Sequence, residues 1–237
     1  MLFSTLMDYF RSGNVCVTGL RGKGKDILMG NVVVRRKLPY VSNIDYGGDY
    51  HCYNYKLIDC GKNDYRDFLE DRVKYYEYPF PDDTDVYISD CGIYFPSQYC
   101  GELNRDYKYL PTFMALSRQL GCNMHINVQN ILRCWDKIRE QAETFILCLS
   151  CKVIFGFVFQ RIRIYDNIDS CAKKVRPFSV RVPLICTRQT KVMVQMQRDN
   201  YLAAHGSIRE AILIYKNKST YDTRYFQKLL KGGKKDA

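Results

Sequence analysis

Two rhythms of apolar and polar residues alternate along the first 165 positions. Short apolar runs at 15–18, 40–44, 86–90 and 124–128 have the length of buried strands. Runs at 145–151 and 153–165 read as two more strands, either a hairpin or one strand continuing into an extension. Between them the spacing becomes helical: Ile27, Leu28, Met29, Val32 and Val33 predict a helix over 25–36, stopped by Pro39. Helical patterns also cover 1–13, 64–76, 101–119 (closed by Gly121) and 131–142, while the rest of 45–85 is polar, tyrosine-rich and irregular. Strands alternating with helices predict an α/β fold with a mainly parallel sheet flanked by helices. Beyond 166 the rhythm weakens. Strands are expected at 179–186 and 191–195, with a basic loop at Lys173, Lys174 and Arg176 and a lysine-rich tail. The expected organisation is a core over 1–165 and a basic C-terminal β extension over 166–237 that completes the same domain.

The first strand runs into Gly19-Leu20-Arg21-Gly22-Lys23-Gly24-Lys25-Asp26-Ile27. Gly19, Gly24 and Lys25 fit seven positions of the phosphate-loop pattern G-x-x-x-x-G-K-[ST]. A glycine-rich loop entering a helix offers backbone N–H groups and the positive helix end to phosphate oxygens, and Lys25 would reach the β- and γ-phosphates. The eighth position departs from the pattern, because Asp26 stands where a hydroxyl residue is expected. Asp90 ends the run 86–90 and is a candidate ligand for Mg²⁺ bridging the phosphates. Gln129 comes directly after the run 124–128 and could orient an attacking water or sense the γ-phosphate. These residues point to ATP and Mg²⁺, with Lys25, Asp90 and Gln129 as candidate catalytic groups.

Composition adds a partner class. The 237 residues carry a net charge of +11, which suits a polyanion such as nucleic acid or an acidic membrane face. Twenty tyrosines and twelve phenylalanines supply rings on which single strands could stack. Eleven cysteines, an odd number at irregular spacings, together with an N-terminus that carries Asp8 and lacks a basic start followed by an apolar core, predict reduced thiols in a cytoplasmic setting. Cys148 and Cys151 lie in an apolar run and read as buried thiols rather than metal ligands. No stretch reaches the roughly 18 apolar residues of a membrane helix; residues 145–159 come closest but include Lys152 and Gly156.

Several short motifs taken together resemble one family. The loop from Val17 to Lys25, the run Asp90-Cys91-Gly92-Ile93-Tyr94-Phe95, Ser117-Arg118-Gln119-Leu120-Gly121 leading into Ile126-Asn127-Val128-Gln129, and Tyr221-Asp222-Thr223-Arg224 look like the filamentous-phage assembly ATPases that share the zonula occludens toxin N-terminal domain. The resemblance spans about residues 14–226. It implies a P-loop NTPase fold with sheet order 5-1-4-3-2, related to the FtsK–HerA group of DNA pumps. It also implies a homo-oligomeric ring that moves single-stranded phage DNA or nucleoprotein through the inner membrane, beside an inner-membrane partner protein. In such rings an arginine commonly completes the neighbour's site, and Arg118 and Arg139 are candidates. The chain departs from the family at Asp26, at the incomplete strand-end acid pair, and in having no membrane helix, so its expected location is the bacterial cytoplasm, peripheral to the inner membrane.

Two registers are open at the acid. Asp90 can take the metal position, with Cys91 where a glutamate is usual. Alternatively Cys91-Gly92 anchors the motif, placing Asp90 at the glutamate position and Ser89 at the metal position. In the second register carboxylate and hydroxyl have exchanged places, Asp26 on the loop and Ser89 by the strand, and Mg²⁺ accepts oxygen from either. The competing functions are a non-hydrolysing nucleotide-binding scaffold of the same fold and a basic DNA-binding protein.

Overall fold

The computed structural model describes residues 3–47, 52–54, 84–101, 114–115, 121–180 and 187–219. An eight-stranded sheet runs through them: β1 (Val15–Thr18), β2 (Tyr40–Ser42), β3 (Cys52–Asn54), β4 (Asp85–Ile88), β5 (Met124–Val128), β6 (Thr144–Ile154), β7 (Phe157–Tyr165) and β8 (Ile208–Lys216). The spatial order is β3-β2-β4-β5-β1-β6-β7-β8. Counting only the five strands foreseen from alternation with helices (β1, β2, β4, β5, β6), this is the order 5-1-4-3-2. The pairs from β3 to β6 are parallel, and β7 and β8 add antiparallel strands at one edge.

The parallel strands are buried on both faces, which explains why they read as unbroken apolar runs. In β1, Cys16 points into one core with Trp135, Ile126 and Phe145, whereas Val15 and Val17 point into the other. The second core holds α1 (Phe3–Ser12) through Leu6, Met7 and Phe10, and α2 (Lys25–Arg36) through Leu28, Met29, Val32 and Val33. Each such side chain contributes roughly 1.5–3 kcal/mol on burial, so the sheet and α2 hold the loop between them firmly in place. α2 ends at Arg36, with Lys37 in a left-handed conformation ahead of Pro39.

Three elements differ from expectation. Residues 131–142 do not form one helix. A 3₁₀ turn (Ile131–Arg133) gives way to extended Cys134, and then to α4 (Asp136–Arg139), preceded in the chain by the short α3 (Cys91–Tyr94). The break has a cause: the Trp135 N–H donates to the Phe95 carbonyl at 2.8 Å while its indole fills the core. The expected strand at 191–195 lies inside a helix. After α5 (Ile168–Ala172), α6 spans Arg188–His205, capped by the Thr187 hydroxyl, which accepts from the Thr190 N–H at 3.2 Å. Val192 and Val194 mimic a strand pattern, but Met, Gln and Arg around them favour a capped helix. β3 and β8 lie in stretches without a clear pattern. Of the two alternatives for 145–165 the hairpin forms, but its turn lies at Phe155 and Gly156, so Val153 and Ile154 end β6 and β7 begins only at Phe157. The helix expected at 64–76, most of that at 101–119, residues 181–186 and the tail beyond 219 lie outside the described residues.

Candidate functional site

β1, β4 and β5 end side by side, and the residues just past each strand meet at one place. After β1 the chain turns through Gly19 (φ 143°), Gly22 (φ 75°) and Gly24 (φ 82°) before α2 begins at Lys25. The close approach of β6 dictates two of these glycines. A Cβ at Gly19 would meet the Cys148 carbonyl oxygen at 2.6 Å, and one at Gly24 would meet the Cys151 Sγ at 2.6 Å. Lys25 is buried and its Nζ donates to the Leu20 carbonyl at 3.5 Å, so its side chain reaches back from the end of the loop to its start. Arg21 and Leu20 are exposed, Lys23 is half-buried, and Ile27 packs its side chain against the second core. Only the backbone of Ile27 is therefore free to face a ligand.

Asp26 points from the first turn of α2 toward the strand ends. Its Oδ1 accepts from the Ser89 hydroxyl at 2.8 Å and from the Asn127 amide at 2.7 Å. The Asn127 Nδ2 also reaches the Ser89 Oγ at 3.0 Å, and the Asn127 Oδ1 accepts from the Asp90 N–H at 2.7 Å. Asn43, just past β2, clamps Ser89 from the other side: its Oδ1 accepts from the Ser89 N–H and its Nδ2 donates to the Ser89 carbonyl. Asp90 sits in a left-handed conformation (φ 48°), one that aspartate tolerates better than most residues. Ser89 and Asp90 thus lie just beyond β4, not in it.

Burial pushes the Asp90 carboxyl above its ordinary range, and the neighbouring Asp26 charge adds to the rise. Lys25, the Gln129 amide and Arg21 act in the opposite direction. Gln129 is exposed after β5 and borders, with Asp90 and Arg133, a cavity of about 140 Å³. A larger cavity, about 260 Å³, opens between Gly19, Lys23, Gln129, Leu132 and Lys174. Cys91 faces away from both. It is buried with its Sγ 3.6 Å from that of Cys134, and the contact with Cys134 together with burial pushes its thiol well above the usual range. It cannot replace a strand-end glutamate as a base.

The structure thus brings Lys25, Asp26, Ser89, Asp90 and Gln129 to one end of the sheet. Arg118 lies outside the described residues. Arg139 is turned inward, donating to the Leu132 and Cys134 carbonyls at 3.3 and 3.2 Å. Sequence reasoning missed Asn43 and Asn127. The signal for Asn127 was present: a fully buried amide inside the apolar run Met124-His125-Ile126-Asn127-Val128 requires a polar partner.

No protein-family model and no curated protein matches the chain. Its fold is similar to that of the N-terminal domain of zonular occludens toxin from Neisseria meningitidis. That likeness has a TM-score of 0.45 at 12% identity, over 92% of this chain and 98% of that one. The fold is also similar to the genome packaging NTPase of Sulfolobus turreted icosahedral virus 2. In its complex with ATP-gammaS the TM-score is 0.39 at 14% identity, over 65% of this chain and 92% of that one; with AMPPCP the values are 0.41 and 13% over the same shares. Among the described residues, no helix is long and apolar enough to cross a membrane.

Proposed function

We propose that this protein is a Mg²⁺-dependent P-loop ATPase that powers movement of a nucleic acid during virus assembly. One observation carries the reading: Asp26, Ser89 and Asn127 are joined by hydrogen bonds of 2.7–3.0 Å at the start of a helix entered through a glycine loop. The fit to a divalent cation rests on the donor set. One carboxylate and one hydroxyl face each other beside a second carboxylate, and among the described residues neither Asp26 nor Asp90 has an ion-pair partner. When bound, Mg²⁺ would draw charge from the β- and γ-phosphates, held by Asp26 and Ser89 as hard oxygen ligands.

The chain's own residues supply the rest. The N–H groups between Gly22 and Ile27 receive the phosphates, and Lys25 leaves the Leu20 carbonyl to reach the γ-phosphate. Gln129 orients a water in line with the γ-phosphorus. Asp90, which borders the same cavity as Gln129, takes the proton as the new P–O bond forms and the bond to the bridging oxygen breaks. Arg118 is the proposed contribution of a neighbouring subunit in a ring. The basic surface, with Lys173, Lys174 and Arg176, is proposed to hold single-stranded phage DNA or nucleoprotein, and residues 166–237 are read as an extension completing the ATPase domain. An inner-membrane partner would hold the protein at the membrane of a bacterial host.

The buried Cys91 favours a second reading, a scaffold that binds nucleotide without turning it over. Steady-state ATP hydrolysis with Mg²⁺ separates the two. The proposal expects turnover that Lys25→Ala abolishes; an unchanged rate in Lys25→Ala would sink it, and tight binding with no turnover would establish the scaffold.

A further inference from the structure

We infer that Gln160 and Tyr215 are positioning residues that hold the nucleotide loop in its binding conformation, an inference that rests on the nucleotide reading of the loop. Gln160 lies on β7, which does not touch β1 and is separated from it by β6. Its side chain is fully buried and crosses beneath the loop. The amide Nε2 donates to the Lys23 carbonyl at 3.3 Å and the Gly24 carbonyl at 3.0 Å, and also contacts the Cys148 Sγ at 3.4 Å. The Tyr215 hydroxyl, from β8, donates to the Gln160 Oε1 at 2.8 Å.

The geometry assigns each partner a separate task. An amide side chain can be placed either way round, and the bond from Tyr215 fixes the oxygen toward β8 and the NH₂ group toward the loop. A peptide unit is planar and trans, so its C=O and N–H point in opposite directions. Holding the Lys23 carbonyl on Gln160 therefore turns the Gly24 N–H away from β7. Holding the Gly24 carbonyl does the same for the Lys25 N–H. Those are two of the N–H groups a phosphate would need, and they are aimed before any ligand arrives. The same contact adds to the crowding at Gly24, where a Cβ would lie 3.1 Å from the Gln160 Nε2 besides clashing with Cys151. A leucine at 160 would fill the space and leave the Lys23 carbonyl without its donor, while the Gly24 carbonyl would keep only the Leu28 N–H at 3.0 Å.

Gln160→Glu keeps the shape and replaces the donor with an acceptor, and Tyr215→Phe removes only the hydroxyl. Ile162→Val, at the next inward position of β7, serves as a packing control that removes no hydrogen bond to the loop. Affinity for a non-hydrolysable ATP analogue with Mg²⁺ is measured by titration calorimetry, beside the thermal midpoint without nucleotide. The expected result is a loss of about thirtyfold for Gln160→Glu and about fivefold for Tyr215→Phe, with none for Ile162→Val. Affinity within about twofold of the unsubstituted protein in both loop variants would overturn the inference, as would a loss that Ile162→Val reproduces at matched stability. If Gln160→Glu does not fold, Tyr215→Phe decides by the same criterion. If the unsubstituted protein fails to bind the analogue, the nucleotide reading falls, and amide hydrogen exchange in the free protein judges the strut separately. Faster exchange at Gly24 and Lys25 in Tyr215→Phe supports it, and unchanged exchange overturns it.

Discussion

Strand β4 carries a buried carboxylate at one end and leads into the candidate site at the other, and the two ends are treated differently. At its start, Asp85 pairs with Arg36 at 2.5 Å, accepts from the Asn123 N–H at 3.0 Å and lies 3.9 Å from the His125 Nε2. Burial alone would raise the Asp85 carboxyl, but His125, Arg36 and the Asn123 N–H outweigh it and hold the group below the usual carboxylate range. At its end, among the described residues, Asp26 meets only neutral donors, and Asp90 is pushed upward. One end contains its own cation and is closed. The other gathers two carboxylates and a hydroxyl with no ion-pair contact among the described residues, Lys25 and Arg21 opposing the rise at Asp90 without pairing with it, which costs stability unless a ligand supplies more positive charge. The contrast separates a structural ion pair from the site proposed to receive a cation.

The comparison can be broken most directly at Lys25. Lys25→Ala should lower ATP turnover by roughly a thousandfold while leaving the melting temperature of the free protein nearly unchanged. A parallel loss of stability would mean the loop end is structural too. Arg36→Met should do the reverse: it strands Asp85 and should cost about 3–5 kcal/mol in urea unfolding, with nucleotide affinity intact in the folded fraction. Asn127→Ala sharpens the contrast from the site side. It removes the amide shared by Asp26, Ser89 and Asp90, and about 1–3 kcal/mol should be lost. Much of that should return on adding Mg²⁺ and an ATP analogue, as a larger ligand-induced shift in melting temperature.

The smallest expected effect is in acid. A carboxyl held low in the folded state stabilises it fully above the unfolded value, near 3.9, and the contribution fades as pH falls through the folded value. Stability should therefore drop below about pH 4, and Asp85→Asn should flatten that limb. An identical acid limb in Asp85→Asn would show that other carboxylates dominate it.

Much of this was legible in the sequence where the signal was local. The run 15–18, the glycine loop and the helix over 25–36 succeed one another within some twenty positions, and β5 fell where the pattern put it. Asp90 was visible as the last residue of an apolar run. The partners that define the site were hidden by distance along the chain: Asn127 lies 101 residues from Asp26, and Gln160 lies 136 residues from Gly24. Parallel strands are brought together by crossovers, so neighbours across the sheet leave no trace in a local period. Helix α6 was misread for the opposite reason, because the local alternation of Val192 and Val194 was outweighed by the Thr187 cap and by the helix formers around it.

The central claim is that Asp26 and Ser89 act as one exchanged carboxylate–hydroxyl pair around Mg²⁺. The most direct measurement is Mg²⁺-dependent ATP turnover in Asp26→Ser, Ser89→Asp and the double exchange. Each single variant should lose at least about tenfold, since it leaves two hydroxyls or two carboxylates facing each other, and the double variant should recover to within about threefold of the unsubstituted protein. Turnover maintained or raised by Asp26→Ser alone, or a double variant no better than the sum of its parts, would contradict the account.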